Sequence, residues 1–110
     1  MSILLRQVKI ADPASPFHNK VKDILIKDQQ IVSITDQFEG KTDFVFEKAG
    51  TLVSPGWVDP FVHFCDPGME NRETLASGAA AAQKGGFTSV FNIPNTQPIT
   101  DNKSQVNYTK

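Results

Sequence analysis

Asp59, Phe61, His63 and Cys65 stand at alternate positions, and their side chains decide what chemistry this stretch could do. Side chains two apart on a strand share a face, so Asp59, Phe61 and His63 are expected to line one side. Cys65 joins them if the strand persists that far. His63 and Cys65 have the same-face spacing and thiolate softness of a metal-ligand pair, although the adjacent Asp66 opposes thiolate formation when no metal is bound. The plainer reading makes His63 a hydrogen-bonded histidine retained by packing, Cys65 a small buried hydrophobe and Phe61 a packing side chain. Asp59 lies about 13 Å from His63 along an extended strand, near the limit for sharing an ion. Asn95, in Pro94-Asn95-Thr96, either contacts a ligand or satisfies its own backbone. His18, among the polar neighbours of PFHNK, reads as a solvated surface histidine.

These residues need elements to hold them. The stretch Trp57 to Phe64 is nearly all apolar apart from Asp59 and His63, which predicts a buried strand over 57–64. A helix is expected from about Asn71 to Lys84, with Asn71 or Thr74 as its cap and Glu73 at the positive end of its dipole. Gly85-Gly86 stops it. Its small-sided run ASGAAAAQ permits close approach to a sheet. A second strand is expected over 88–93, broken by Pro94-Asn95-Thr96, and a second helix from about Asp101. Two parallel strands with one crossover helix leave sheet edges unpaired. Residues 54–110 are therefore read as the first one and a half units of a TIM-like eight-fold β/α barrel. In that architecture chemistry gathers where strands end, here at His63 to Asp66 and Asn92 to Thr96.

Residues 1–53 read as a small all-β unit with strands Ile3 to Ile10, Asp23 to Lys27, Ile31 to Ile34, Phe44 to Phe46 and Thr51 to Val53. It carries no ligand-spaced cluster and no exposed aromatic or basic stripe, so a structural sheet is expected rather than an independent binding module. The 110 residues are 39% apolar and 21% charged, as in an ordinary globular protein. A net charge of -1 supplies no field for a polyanion or an anionic membrane, so neither nucleic acid nor membrane is an expected partner. No run approaches the roughly 20 apolar residues that span a bilayer. The single cysteine precludes an internal disulfide, and MSILLRQVKI lacks a signal peptide's apolar stretch. A cytoplasmic setting is expected.

The run PGWVDPFVHFCDPGMENRETLASGAAAAQKGGFTSVFNIPNTQPITD resembles the first barrel unit of dihydroorotases and the related allantoinases and hydantoinases. That family's pattern is PG-x-[IV]-D-x-H-x-H-x-R-[ED]-PG, then a KET-like helix start, a small-residue helix ending GG and a strand ending MPNT. The resemblance implies an α/β fold class: a segment of a composite N-terminal β-sandwich, then an incomplete TIM-like barrel. His63 matches the second histidine of the pair, a zinc ligand in active members, while Phe61 stands at the first. Cys65 stands where an arginine holds the substrate carboxylate, and Asn95 matches the asparagine that contacts the same group. Asp59 matches the acidic residue before the pair, in a supporting role, and Asp66-Pro67-Gly68 matches the turn after it.

Residues i and i+2 lie roughly 6.7 Å apart on a strand, and two imidazoles there can share one ion at about 2.0 to 2.1 Å each. Phenylalanine has no lone pair, and a thiol cannot form the paired hydrogen bonds of a guanidinium. The resemblance implies zinc-dependent hydrolysis of a cyclic amide, or closure of carbamoyl aspartate to dihydroorotate in pyrimidine synthesis. No catalytic residue is expected within this chain, because the catalytic aspartate and remaining ligands lie beyond residue 110. The expectation is thus an impaired or inactive family member with weakened zinc binding, kept for a structural role. The partner implied is aspartate carbamoyltransferase, scaffolded by degenerate relatives, or further copies of the protein itself. The alternative is an active cyclic amidohydrolase with an altered, single-metal site at His63, whose partner is a cyclic amide or carbamoyl amino acid.

Overall fold

Alternating apolar side chains build the sheet of the first unit. The computed structural model describes residues 1–110 and divides them into Met1–Pro55 and Gly56–Lys110. The first unit holds β1 (Ser2–Ile10), β2 (Val21–Lys27), β3 (Gln30–Thr35), β4 (Phe44–Glu47) and β5 (Leu52–Val53). The strand order is β3-β2-β1-β4, with β5 also on β1. β2 is antiparallel to β1, whereas β4 and β5 are parallel to it. Val8, Ile10 and Ile24 form the buried cluster, with Leu5, Phe17, Ile26, Ile34 and Val53 packed against it. The unit is a single sheet rather than two facing layers.

A bulge between Leu5 and Val8 interrupts the β1–β2 register, with Gln7 at φ +51°. Such a bulge withdraws backbone groups from the ladder, and they need other partners. Asp23 supplies them: it is 1% exposed, and its carboxylate accepts from Gln7 N (2.8 Å), Gln7 Nε2 (2.9 Å) and Phe38 N (3.0 Å). Burial pushes this carboxyl up. The amides of Gln7 and Phe38, the Gln7 side chain and the Arg6 charge outweigh that and hold it below the usual carboxylate range. β2 begins at Val21, two residues before the expected Asp23, because Val21 and Lys22 pair with the far end of the long β1.

In the second unit β6 (Trp57–Val62) and β7 (Phe87–Asn92) pair in parallel, and α1 (Leu75–Lys84) crosses between them. α2 spans Lys103–Tyr108, starting two residues later than expected, with Asn102 as its cap. β6 ends at Val62 rather than Phe64. The Phe64 N–H donates to the Asn92 side chain (3.0 Å) instead of continuing a ladder, and Cys65 takes φ +61°. α1 starts at Leu75, not Asn71, because Thr74 and Ser77 form a reciprocal capping box. Its C-cap is Gly85, and Gly86 takes φ +83°. Leu75, Gly78 and Ala82 are the covered side of the helix, and Gly78 lets it approach β6. A Cβ there would stand 2.4 Å from the Phe64 ring.

Candidate functional site

The strand expected to present one chemical face does not keep its alternation. The β6–β7 register shifts between Asp59 and Val62, and the half-buried positions are Asp59 and Val62, three apart. Pro60 lies between them and has no N–H for a ladder. The following N–H, that of Phe61, is taken by the Asp59 carboxylate at 3.0 Å. The bulge leaves Phe61 73% exposed. Among these 110 residues Phe61 is therefore uncovered, and it does not share a covered face with Asp59.

Asp59, Val62, His63 and Phe64 contribute to a cavity of about 250 Å³, together with Gly78 of α1 and Val90 of β7. His63 is half-buried, and its Nε2 is fully enclosed without a hydrogen-bond partner. Within these residues no side-chain hydrogen bond satisfies that atom. Cys65 is buried at 7% exposure, as a small hydrophobe would be, and its thiol lies 3.6 Å from the His63 carbonyl oxygen, to which it donates. With β6 already ended and Cys65 in the left-handed region, it does not continue the strand's parity. Asn95 is exposed, and no side-chain hydrogen bond ties it to its own turn. The turn is closed instead by Thr96, 1% exposed, which donates to the Pro98 carbonyl at 2.8 Å and meets the Thr100 hydroxyl at 2.8 Å. His18 is exposed in a turn of the first unit.

The two loops that follow β6 and β7 are laced together. Gln97 N donates to the Pro67 carbonyl at 2.9 Å, and a Cβ on Gly68 would stand 2.2 Å from the Gln97 carbonyl oxygen. Asp66, 7% exposed, accepts from Leu75 N at 3.1 Å and from the Tyr108 hydroxyl at 2.9 Å. That hydrogen bond, the Asp66 charge, burial and the Glu70 charge all push the Tyr108 phenol above its ordinary value. Sequence reasoning placed Asp66 in a turn but missed its two partners. The signal available was a carboxylate shortly before a helix start, where free amides are concentrated; nothing in the sequence pointed to Tyr108.

A zinc ion would find one enclosed imidazole nitrogen here and little else. Asp59 is engaged with its own strand, the Cys65 thiol is directed to a backbone oxygen, and Phe61 offers no donor. No group of three His, Cys, Asp or Glu side chains forms that could hold a metal, whereas catalytic zinc ordinarily takes three protein ligands. The donor set of these 110 residues does not fit the ion.

A family model described as dihydro-orotase-like matches residues 50–110. The chain belongs to the dihydro-orotase-like family. Within it, the chain is 38% identical over 108 residues to a dihydroorotase of Solibacter usitatus and 40% identical over 108 residues to one of Syntrophotalea carbinolica. Each alignment covers 98% of this chain and 25% of the relative, so the chain spans about a quarter of the length of the curated proteins it matches. Among solved structures, L-hydantoinase from Arthrobacter aurescens superposes with a TM-score of 0.77 at 27% identity, over 98% of this chain and 24% of that one. A dihydroorotase crystal structure is 32% identical over 61% of this chain and 17% of its own, with a TM-score of 0.50. The mixed α/β arrangement of this family member is thus that of one quarter of a cyclic amidohydrolase. No helix is long and apolar enough to cross a membrane.

Proposed function

We propose that these residues are the N-terminal portion of a dihydroorotase-family protein that is catalytically impaired or inactive and is kept for a structural role. The observation that carries this reading is at position 61. A phenylalanine stands where the family pattern has an imidazole, and the nearby donors, Asp59 and Cys65, are committed to backbone partners. Substitution of the carboxylate-binding arginine by Cys65 adds a second loss, in substrate anchoring rather than in metal binding. Asn95, exposed and untied, is the residue left to contact a substrate carboxylate.

The test is turnover of carbamoyl aspartate and dihydroorotate by the full-length protein, with its zinc content measured in parallel. The expected result is no turnover above background. Stoichiometric zinc with turnover that disappears in His63→Ala overturns the reading.

One observation favours a second reading, an active protein with a single-metal site. The enclosed His63 Nε2 has no partner, and leaving a buried polar atom unpaired costs about 1–3 kcal/mol. An ion held by His63 and residues after position 110 would remove that cost. The same assay separates the two. For the structural role the partner proposed is aspartate carbamoyltransferase, and co-elution of the two full-length proteins on size exclusion is the expected result. Self-association without co-elution assigns the role to the protein's own oligomer.

A further inference from the structure

Two hydrogen bonds from distant elements converge at the end of β6 on one side chain that the proposed function does not use. Asp66 follows Cys65 and precedes the Pro67 carbonyl that accepts from Gln97. One carboxylate oxygen, Oδ2, takes the amide of Leu75, the first residue of α1. The other, Oδ1, takes the hydroxyl of Tyr108, the last residue of α2. A carboxylate at a helix start is favoured by the free amides and the dipole, and charge-assisted hydrogen bonds are the stronger kind. At 7% exposure this carboxylate is screened little by solvent.

We infer that Asp66 is the positioning residue of the site: its carboxylate clamps the start of α1 and the end of α2 to the turn after β6, and through that turn fixes where the Asn95 loop stands relative to His63. The connection is continuous. Asp66 fixes the turn 66–68, the Pro67 carbonyl and Gly68 receive Gln97, and Asn95 lies two residues before Gln97. Gly68 has φ +102° and room for no side chain against Gln97, so a glycine is what permits the two loops to approach this closely. Asp66 touches no reacting group and acts through the loops. The inference rests on the proposed reading only in taking His63 and Asn95 as the site, and it holds whether or not the site turns over.

Hydrogen–deuterium exchange of the full-length protein, followed by peptide, tests it without relying on turnover. In Asp66→Ala the peptide over residues 93–99 is expected to exchange about tenfold faster, the effect of losing a charge-assisted hydrogen bond, while peptides from β1 and β2 keep their rates. Asp66→Asn keeps one acceptor oxygen and is expected to recover part of the protection. Should Asp66→Ala not fold, Tyr108→Phe removes one arm of the clamp at an exposed ring and is expected to speed the same peptide by a smaller factor. Unchanged exchange at 93–99 in the folded variants overturns the inference. So does faster exchange spread evenly into β1 and β2, which would make Asp66 a general stabiliser. A dead enzyme with these exchange changes supports the clamp, and an active enzyme without them refutes it, so its failure is distinct from that of the proposed function.

Discussion

Under the proposed reading, the benzyl group at position 61 offers no lone pair where the family pattern has an imidazole, and the Asp59 carboxylate on β6 is already engaged by Phe61 N. Asp59 is three positions from Val62 on the covered side. Restoring the two family side chains is the direct challenge at this scale. Phe61→His combined with Cys65→Arg in the full-length protein is expected to raise zinc stoichiometry above that of the parent, read by metal analysis. No rise would place the loss in ligands beyond residue 110 as well. The proposed substitution at Phe61 is read from the resemblance to the family pattern. The orientation of Phe61 is not. Alternation assumes an unbroken ladder, and Pro60, lacking an N–H, shifts the register so that Phe61 turns outward. Likewise the carboxylate of Asp23 read as an ordinary strand residue, because its role depends on a bulge at Gln7 that no pattern in the chain announces. Replacing it leaves the part-buried amides of Gln7 and Phe38 without their acceptor, and Asp23→Ala is expected to cost about 2 kcal/mol in urea unfolding.

At the level of elements, the first-unit sheet and the docking of α2 respond to pH in opposite directions. Asp23 has a lowered value in the fold, so its contribution is complete above the ordinary carboxylate value of about 3.9. It is lost as pH falls through the lowered value. Acid unfolding of the parent followed by far-UV circular dichroism should therefore extend below that ordinary value, and Asp23→Asn should remove the added slope. Tyr108 is raised, so the clamp it makes with Asp66 persists below the ordinary tyrosine value of about 10 and is lost as pH rises through the raised one. Its ring signal, assigned with Tyr108→Phe, should titrate above the ordinary value and return towards it in Asp66→Asn. Helix ends divide by mechanism in how far they could be read. Gly85-Gly86 marks the C-terminus of α1 by backbone preference alone, which a sequence displays. The N-terminus moved to Thr74 because Ser77 completes a reciprocal cap, a choice among several competent caps that only the three-dimensional turn decides.

For the chain as a whole, the exposed surface is larger than two compact bodies of this mass would show, and large apolar side chains lie on it. Two separate compact bodies, each half of the 12.1 kDa mass, would expose about 7,300 Å² together, against 7970 Å² here. Trp57, Val58, Phe61 and Phe91 in the second unit and Phe44, Val45 and Leu52 in the first are exposed. Residues 1–110 by themselves are accordingly expected to bind a hydrophobic dye strongly and to associate above micromolar concentration, whereas the full-length protein does neither. Equal dye binding by both would mean that these faces stay uncovered. The two parallel strands β6 and β7, with open edges, were legible as part of a larger sheet, and relatives four times the length agree with that reading. What those further residues contribute to His63 decides the central claim. Anomalous diffraction at the zinc edge from crystals of the full-length protein tests it most directly. The account predicts no peak at coordination distance, about 2.0 to 2.1 Å, from His63 Nε2. A fully occupied peak there, with an ordered water on the ion, would contradict it.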